Sequence, residues 1–136
     1  MNILDEDIGQ SQCQSLGTQK VHFRKIGVGI GRSGMKDQED ILPLLHQLKH
    51  PTFFTLDHGF YRPTFPHQGY CLVFLDVWDD EVADYIRRFL RHPEFRTQTQ
   101  RMGKVARLRH ISISYWQIHL RAEQTLRWGP PHPRGF

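Results

Sequence analysis

The stretch "YCLVFLDV", residues 70–77, decides the fold class. Only Asp76 interrupts an otherwise apolar run of strand length. A strand of that composition must be covered on both faces, as central strands of parallel sheets are. Directly after it, "DDEVADYIRRFLRH" (79–92) places Val82, Tyr85, Ile86 and Phe89 on one face of a helix. "KVARLRH" and "ISISYWQIH" then alternate at period two and predict two closing strands, arranged as a hairpin.

The same grammar holds upstream. "TFFTLD" (52–57) reads as another buried strand, and "MNILD" as the first. Between them, "KDQEDILPLLHQLKH" (36–50) carries Ile41, Leu44, Leu45 and Leu48 at helical spacing, with Asp37 as N-cap and Asp40 three residues on. Pro43 fits such a helix only near its start. "QSQCQSLGT" (10–18) predicts a short, weak helix, "KVHFRKIGV" (20–28) a second strand, and "GVGIGRSG" (27–34) a loop. Strands alternating with helices predict an α/β three-layer sandwich around a mostly parallel sheet. One domain is expected over residues 1–120, with residues 121–136 as a flexible tail.

Composition bounds the function. A chain of 136 residues fits one domain with a real core, and 38% hydrophobic against 24% charged is ordinary for a globule. No run approaches the roughly 18 apolar residues of a membrane span. The start turns acidic within five residues, unlike a signal peptide. Cys13 and Cys71 form neither a disulfide framework nor a CxxC pair. A cytoplasmic protein is therefore expected.

Charge is divided along the chain. Residues 1–84 hold 12 of the 14 acids against 7 Lys/Arg, and residues 85–136 hold 11 Lys/Arg against Glu94 and Glu123. Such a division suggests a cation site beside a surface for polyanions.

The acids also cluster where they are costly. In "NILDEDIG" (2–9), Asp5, Glu6 and Asp7 follow a buried strand, and Asp57 ends "TFFTLD". Sites in open α/β sheets form at the carboxyl ends of strands. Close carboxylates there repel unless a hard cation joins them, and Mg²⁺ or Mn²⁺ can then activate water against a phosphodiester. As single residues they have plainer readings: Asp37 as a helix cap, Asp7 as a surface acid.

"NILDEDI", the loop into "SGMKDQEDILPLL", "TFFTLDHGFY" and "YCLVFLDV" together resemble the short PIN-like domains, relatives of the PIN ribonucleases that include toxins of toxin–antitoxin pairs. The resemblance implies a metal-dependent endoribonuclease. Its metal would be held by Asp5, by Asp37 or Asp40, and by Asp57, with Glu6 as an accompanying acid. It further implies RNA as substrate, an antitoxin protein as partner, and a possible homodimer. In "LDHGF" (56–60), Gly59 stands where such domains often carry a second acid. The alternative is thus a non-catalytic PIN-like module that binds RNA or protein.

Arg87, Arg88, Arg91, Arg101 and Lys104 are the expected phosphate contacts, with Arg96, Arg107 and Arg109 nearby. Tyr61, Phe65, Tyr115 and Trp116 are candidates for base stacking or for core. His46 and His50 have a chelating spacing but no fixed partner, and the glycine loop lacks the GK[ST] ending of a phosphate cradle.

Overall fold

In a strand covered on both faces every residue is buried, and this holds for all five positions of Cys71–Leu75. The computed structural model describes residues 1–35 and 38–129. In chain order the elements are β1 (Asn2–Leu4), α1 (Gln10–Thr18), β2 (Arg24–Ile26), β3 (Gly29–Ile30), α2 (Gln38–Gln47), β4 (Thr52–Thr55) and β5 (Cys71–Leu75). Then follow α3 (Val82–Arg91), α4 (Gln98–Arg101), β6 (Lys104–Leu108), β7 (Ser112–Gln117) and β8 (Gln124–Arg127). Short 3₁₀ turns lie at His58–Phe60 and Asp79–Glu81.

All eight strands join one sheet in the order β3-β2-β1-β4-β5-β6-β7-β8. Pairing is parallel from β3 through β6 and antiparallel for β7 and β8. The expected hairpin is β6–β7, in register Lys104↔Gln117 to Leu108↔Ile113.

Side-chain alternation divides the core in two. Leu4, Phe54, Val73 and Ala106 pack with Leu16 of α1 and with Tyr85, Ile86 and Phe89 of α3. Their neighbours Ile3, Phe53, Leu72 and Val105 pack with Ile41 and Leu45 of α2. Adjacent strand residues point to opposite faces, so helices line both.

The chain leaves β1 through α1 toward β2 on one side, and returns from β3 through α2 to β4 on the other. The point where the winding reverses therefore lies between β1 and β4. A crevice is expected there, outside the carboxyl ends of the two strands.

Three stretches differ from their expected form. The loop expected over 27–34 contains β3 (Gly29–Ile30), which pairs parallel with β2 at the sheet edge. The strand predicted over 20–28 is confined to Arg24–Ile26, because Gly27 turns the chain at φ +87°. The tail expected from residue 121 contributes β8 instead, paired with β7 from Ser112↔Arg127 to Tyr115↔Gln124. Trp128 follows it into the core, its ring 5.5 Å from that of Tyr85 and its indole N–H donating to the Arg109 carbonyl at 2.8 Å. The domain thus continues past residue 120. Residues 130–136 lie outside the described residues.

Candidate functional site

β1 ends at Leu4, but its ladder continues one residue, since the Asp5 amide donates to the Phe54 carbonyl at 2.9 Å. That bond holds Asp5 in line with β4 and only 4% exposed. A buried carboxylate needs hydrogen bonds. Asp5 Oδ2 accepts from the Thr55 hydroxyl at 2.7 Å, and Oδ1 accepts from the Glu6 amide at 2.7 Å. Burial pushes the Asp5 carboxyl above its ordinary pKa, against those two bonds, and the charges of Asp57 and Glu6 add to the rise.

Asp57 arrives from β4. Its amide donates to Thr55 Oγ1 at 3.0 Å, and its Oδ1 accepts from the Gly59 amide at 2.8 Å, capping the 3₁₀ turn. Asp7 approaches from the turn after β1, with Oδ2 accepting from the Leu56 amide at 3.2 Å. Its carboxyl is pushed up to about 7, chiefly by burial and then by the Asp5 charge, with Asp57 adding to it. Asp5, Glu6, Asp7 and Asp57 line one cleft of about 680 Å³ with Ser33, Gly34 and Met35. It opens at the β1–β4 crevice.

Glu6 has a different task from the three aspartates. Its carboxylate accepts from the Ser33 hydroxyl and from the Gly34 amide, both at 2.8 Å. It pins the glycine loop across the cleft mouth. A Cβ at Gly27 would stand 2.8 Å from Glu6 Oε2, so the loop closes onto Glu6 only where position 27 has no side chain.

Among the described residues, no lysine or arginine forms an ion pair with Asp5, Asp7 or Asp57. Nor do three or more His, Cys, Asp or Glu side chains there form a group arranged to hold a metal ion. The donor set nevertheless suits a hard divalent cation, because carboxylate oxygens that raise one another's pKa are relieved by one. Perturbed acids converging in a cleft mark a candidate functional site.

Asp40 is placed in a neighbouring groove, which it lines with Arg32, Glu39 and Leu44, and lies 3.6 Å from the Arg32 guanidinium. It belongs to α2 and is not among the residues that line the Asp5–Asp57 cleft. Asp37 lies outside the described residues.

The expected phosphate contacts are distributed differently too. Arg101 is buried, donating to Thr52 Oγ1 at 3.0 Å and to the carbonyls of Phe95 and Arg96 at 2.9 and 3.1 Å. Lys104 stands 4.9 Å over the Phe95 ring and 5.2 Å over that of Tyr115. Both lie where β4, β5 and β6 begin, the sheet edge opposite the acids. Arg87 pairs with Asp84 at 3.1 Å. Arg88 stacks 4.4 Å over Trp128 and donates to the Gly129 carbonyl. Arg91 is exposed on α3.

Two residues near the cleft, Thr55 and Asp76, are not among those expected from the sequence. Thr55 gives no signal of its own, being one β-branched residue in a buried strand. Asp76 does give one, because an acid closing an apolar run repeats the pattern at Asp5 and Asp57. It pairs with Arg107, Nη2 to Oδ2 at 2.6 Å, and with Arg109 at 3.7 Å, on the same sheet edge as the cleft. No family model, curated protein or solved structure matches the chain.

Proposed function

We propose that this chain is a Mg²⁺- or Mn²⁺-dependent ribonuclease of the PIN-like kind, its sheet and helices forming a three-layer sandwich. The observation that carries the reading is the meeting of Asp5, Asp7 and Asp57 in one cleft at the β1–β4 reversal, with no lysine or arginine among the described residues paired to them. Asp5, Asp7 and Asp57 would hold the cation. Asp7 takes the place that the resemblance gives to Asp37 or Asp40. The bound ion would supply an activated water and charge stabilisation for phosphodiester hydrolysis. Thr55 orients Asp5, and Glu6 fixes the loop at the mouth.

Calorimetric titration with Mn²⁺ tests this reading. Wild type is expected to bind saturably, with proton release near pH 6.5 as Asp7 ionises, and both Asp5→Asn and Asp57→Asn are expected to abolish the heat. RNA cleavage that follows metal occupancy would complete the test. Absence of binding, or binding indifferent to both substitutions, would remove the nuclease.

Gly59 favours a second reading, the non-catalytic module. A Cβ there would meet the Gln38 side-chain amide at 2.8 Å and Asp57 Oδ1 at 3.1 Å, so a second acid would enter only if those side chains moved. RNA binding without Mn²⁺ binding would select it.

A further inference from the structure

Next to the acidic cleft, on the same sheet edge, lies a second concavity of about 380 Å³ lined by His58, Tyr61, Phe74, Asp76 and Arg107. The two are joined through the chain itself, since Asp57 lines one and His58 the other. Phe74 of β5 is the apolar floor. His58 stands at the β4 side, its ring centroid 6.4 Å from that of Phe74. Arg107 stands at the β6 side, its guanidinium 5.7 Å from the Phe74 ring centroid.

The Arg107 side chain is held in place. Its Nε and Nη2 both donate to Asp76 Oδ2, at 3.0 and 2.6 Å, which fixes the plane of the fork. Asp76 Oδ1 accepts no hydrogen bond among the described residues. Tyr61 closes the concavity toward β8, with its hydroxyl donating to Glu123. The lining therefore presents aromatic faces, a fixed planar cation and a carboxylate edge, in a volume suited to one flat heterocycle and its sugar. Guanidinium planes and aromatic rings are the surfaces on which unstacked bases are held.

We propose that this concavity is a nucleobase subsite for single-stranded RNA, seating the base of a nucleotide beside the phosphodiester at the acidic cleft. The identity of the phosphodiester rests on the ribonuclease reading above, whereas base binding itself does not require the metal. Neighbouring strands lie about 4.8 Å apart, so the β1–β4 crevice and the β5 floor are separated by about 7 Å, a reach within adjacent nucleotides. The Asp76 edge accepts from base N–H groups, and Arg107 donates to base carbonyls.

The test uses the whole chain in EDTA, with amide chemical shifts followed during titration with uridine and adenosine monophosphates and, separately, ribose 5-phosphate. The nucleotides are expected to shift Gly59, Asp76 and their neighbours saturably, and the sugar phosphate to leave them unmoved. Arg107→Ala should weaken nucleotide binding about tenfold, and Arg107→Lys nearly as much, because a lysine keeps the charge and loses the plane. His58→Ala, at an exposed position, reads the other wall should Arg107→Ala fail to fold. Lys49→Ala, at an exposed position just past α2, should have no effect. Equal binding of ribose 5-phosphate would make this an anion site and overturn the proposal. So would shifts confined to another surface, or Arg107 and His58 variants that bind as wild type does. Nucleotide binding in a protein that does not take up Mn²⁺ would leave the subsite standing without the nuclease. Mn²⁺ uptake without nucleotide binding would do the reverse.

Discussion

Thr55 donates its hydroxyl to Asp5 Oδ2 at 2.7 Å and accepts the Asp57 amide at 3.0 Å. One buried side chain at the end of β4 thus positions two of the four carboxylates of the cleft, Asp5 and Asp57. Thr55→Val keeps the shape of the side chain and removes both bonds. It should cost about 1–3 kcal/mol in denaturant unfolding, because a buried carboxylate and a backbone N–H lose partners. It should also raise the Asp5 pKa further, since that hydroxyl bond opposes the effect of burial. Carboxyl chemical shifts followed against pH would read the change.

Asp7 sets the pH dependence. A carboxyl whose folded pKa is raised stabilises the fold in its protonated form, and that contribution is lost as pH rises through the folded value. With the ordinary value at 3.8 and the folded one at about 7, metal-free protein should lose stability across that window. Asp7→Asn should remove part of the slope, on the order of 1 kcal/mol, because the residue is exposed enough for water to screen its charge. Unfolding midpoints at pH 5 and pH 8 with chelator present would measure it.

Glu6 anchors the loop at the mouth through Ser33 and Gly34. Glu6→Ala should leave the global fold within about 1–2 kcal/mol of wild type. It should speed hydrogen exchange at the Gly34 amide by at least tenfold, since that N–H loses its acceptor. Gly27→Ala should do more harm, as it combines φ +87° with a Cβ placed 2.8 Å from Glu6 Oε2.

Arg101 separates architecture from RNA binding. It donates to one hydroxyl and two carbonyls from a buried position, and burial lowers its pKa. Arg101→Met should destabilise the protein by about 2–4 kcal/mol. The salt dependence of any RNA affinity should be unchanged, whereas a phosphate contact would reduce the salt slope.

The last strand can be tested by removal. Ending the chain at residue 120 deletes β8 and Trp128, uncovers the β7 edge and leaves the Arg88 guanidinium with the Tyr85 ring alone. That fragment should aggregate or unfold well below the midpoint of the whole chain. Trp128→Ala alone should cost about 3–5 kcal/mol.

Where one local rule governed the outcome, the elements could be read from residues. β5 follows from an uninterrupted apolar run, α3 from the spacing of Tyr85, Ile86 and Phe89, and the β6–β7 hairpin from period-two alternation. Asp5 and Asp57 could be read too, because acids at the ends of buried strands are costly without a reason. Arg101 could not. A lone arginine among glutamines looks like a surface residue until Thr52 and two carbonyls are brought to it from elsewhere. β8 was hidden for a related reason: "QTLR" has little apolar character, and its place comes from pairing with β7 and from the Trp128 ring behind it. The place of Asp40 could not be read from its offset, because the Arg32 guanidinium that it meets is brought to α2 by the glycine loop.

The Asp5–Glu6 peptide has a consequence for how the cleft would signal its own state. Asp5 Oδ1 accepts the Glu6 amide, and the Glu6 side chain holds Ser33 and Gly34. The floor of the cleft and its rim are therefore linked through two consecutive residues. Rotation of the Asp5 carboxylate toward an arriving charge would loosen that amide and be transmitted within a few ångströms to the glycine loop. A spectroscopic label on that loop would then serve as a gauge of occupancy, with nothing attached to the acids themselves.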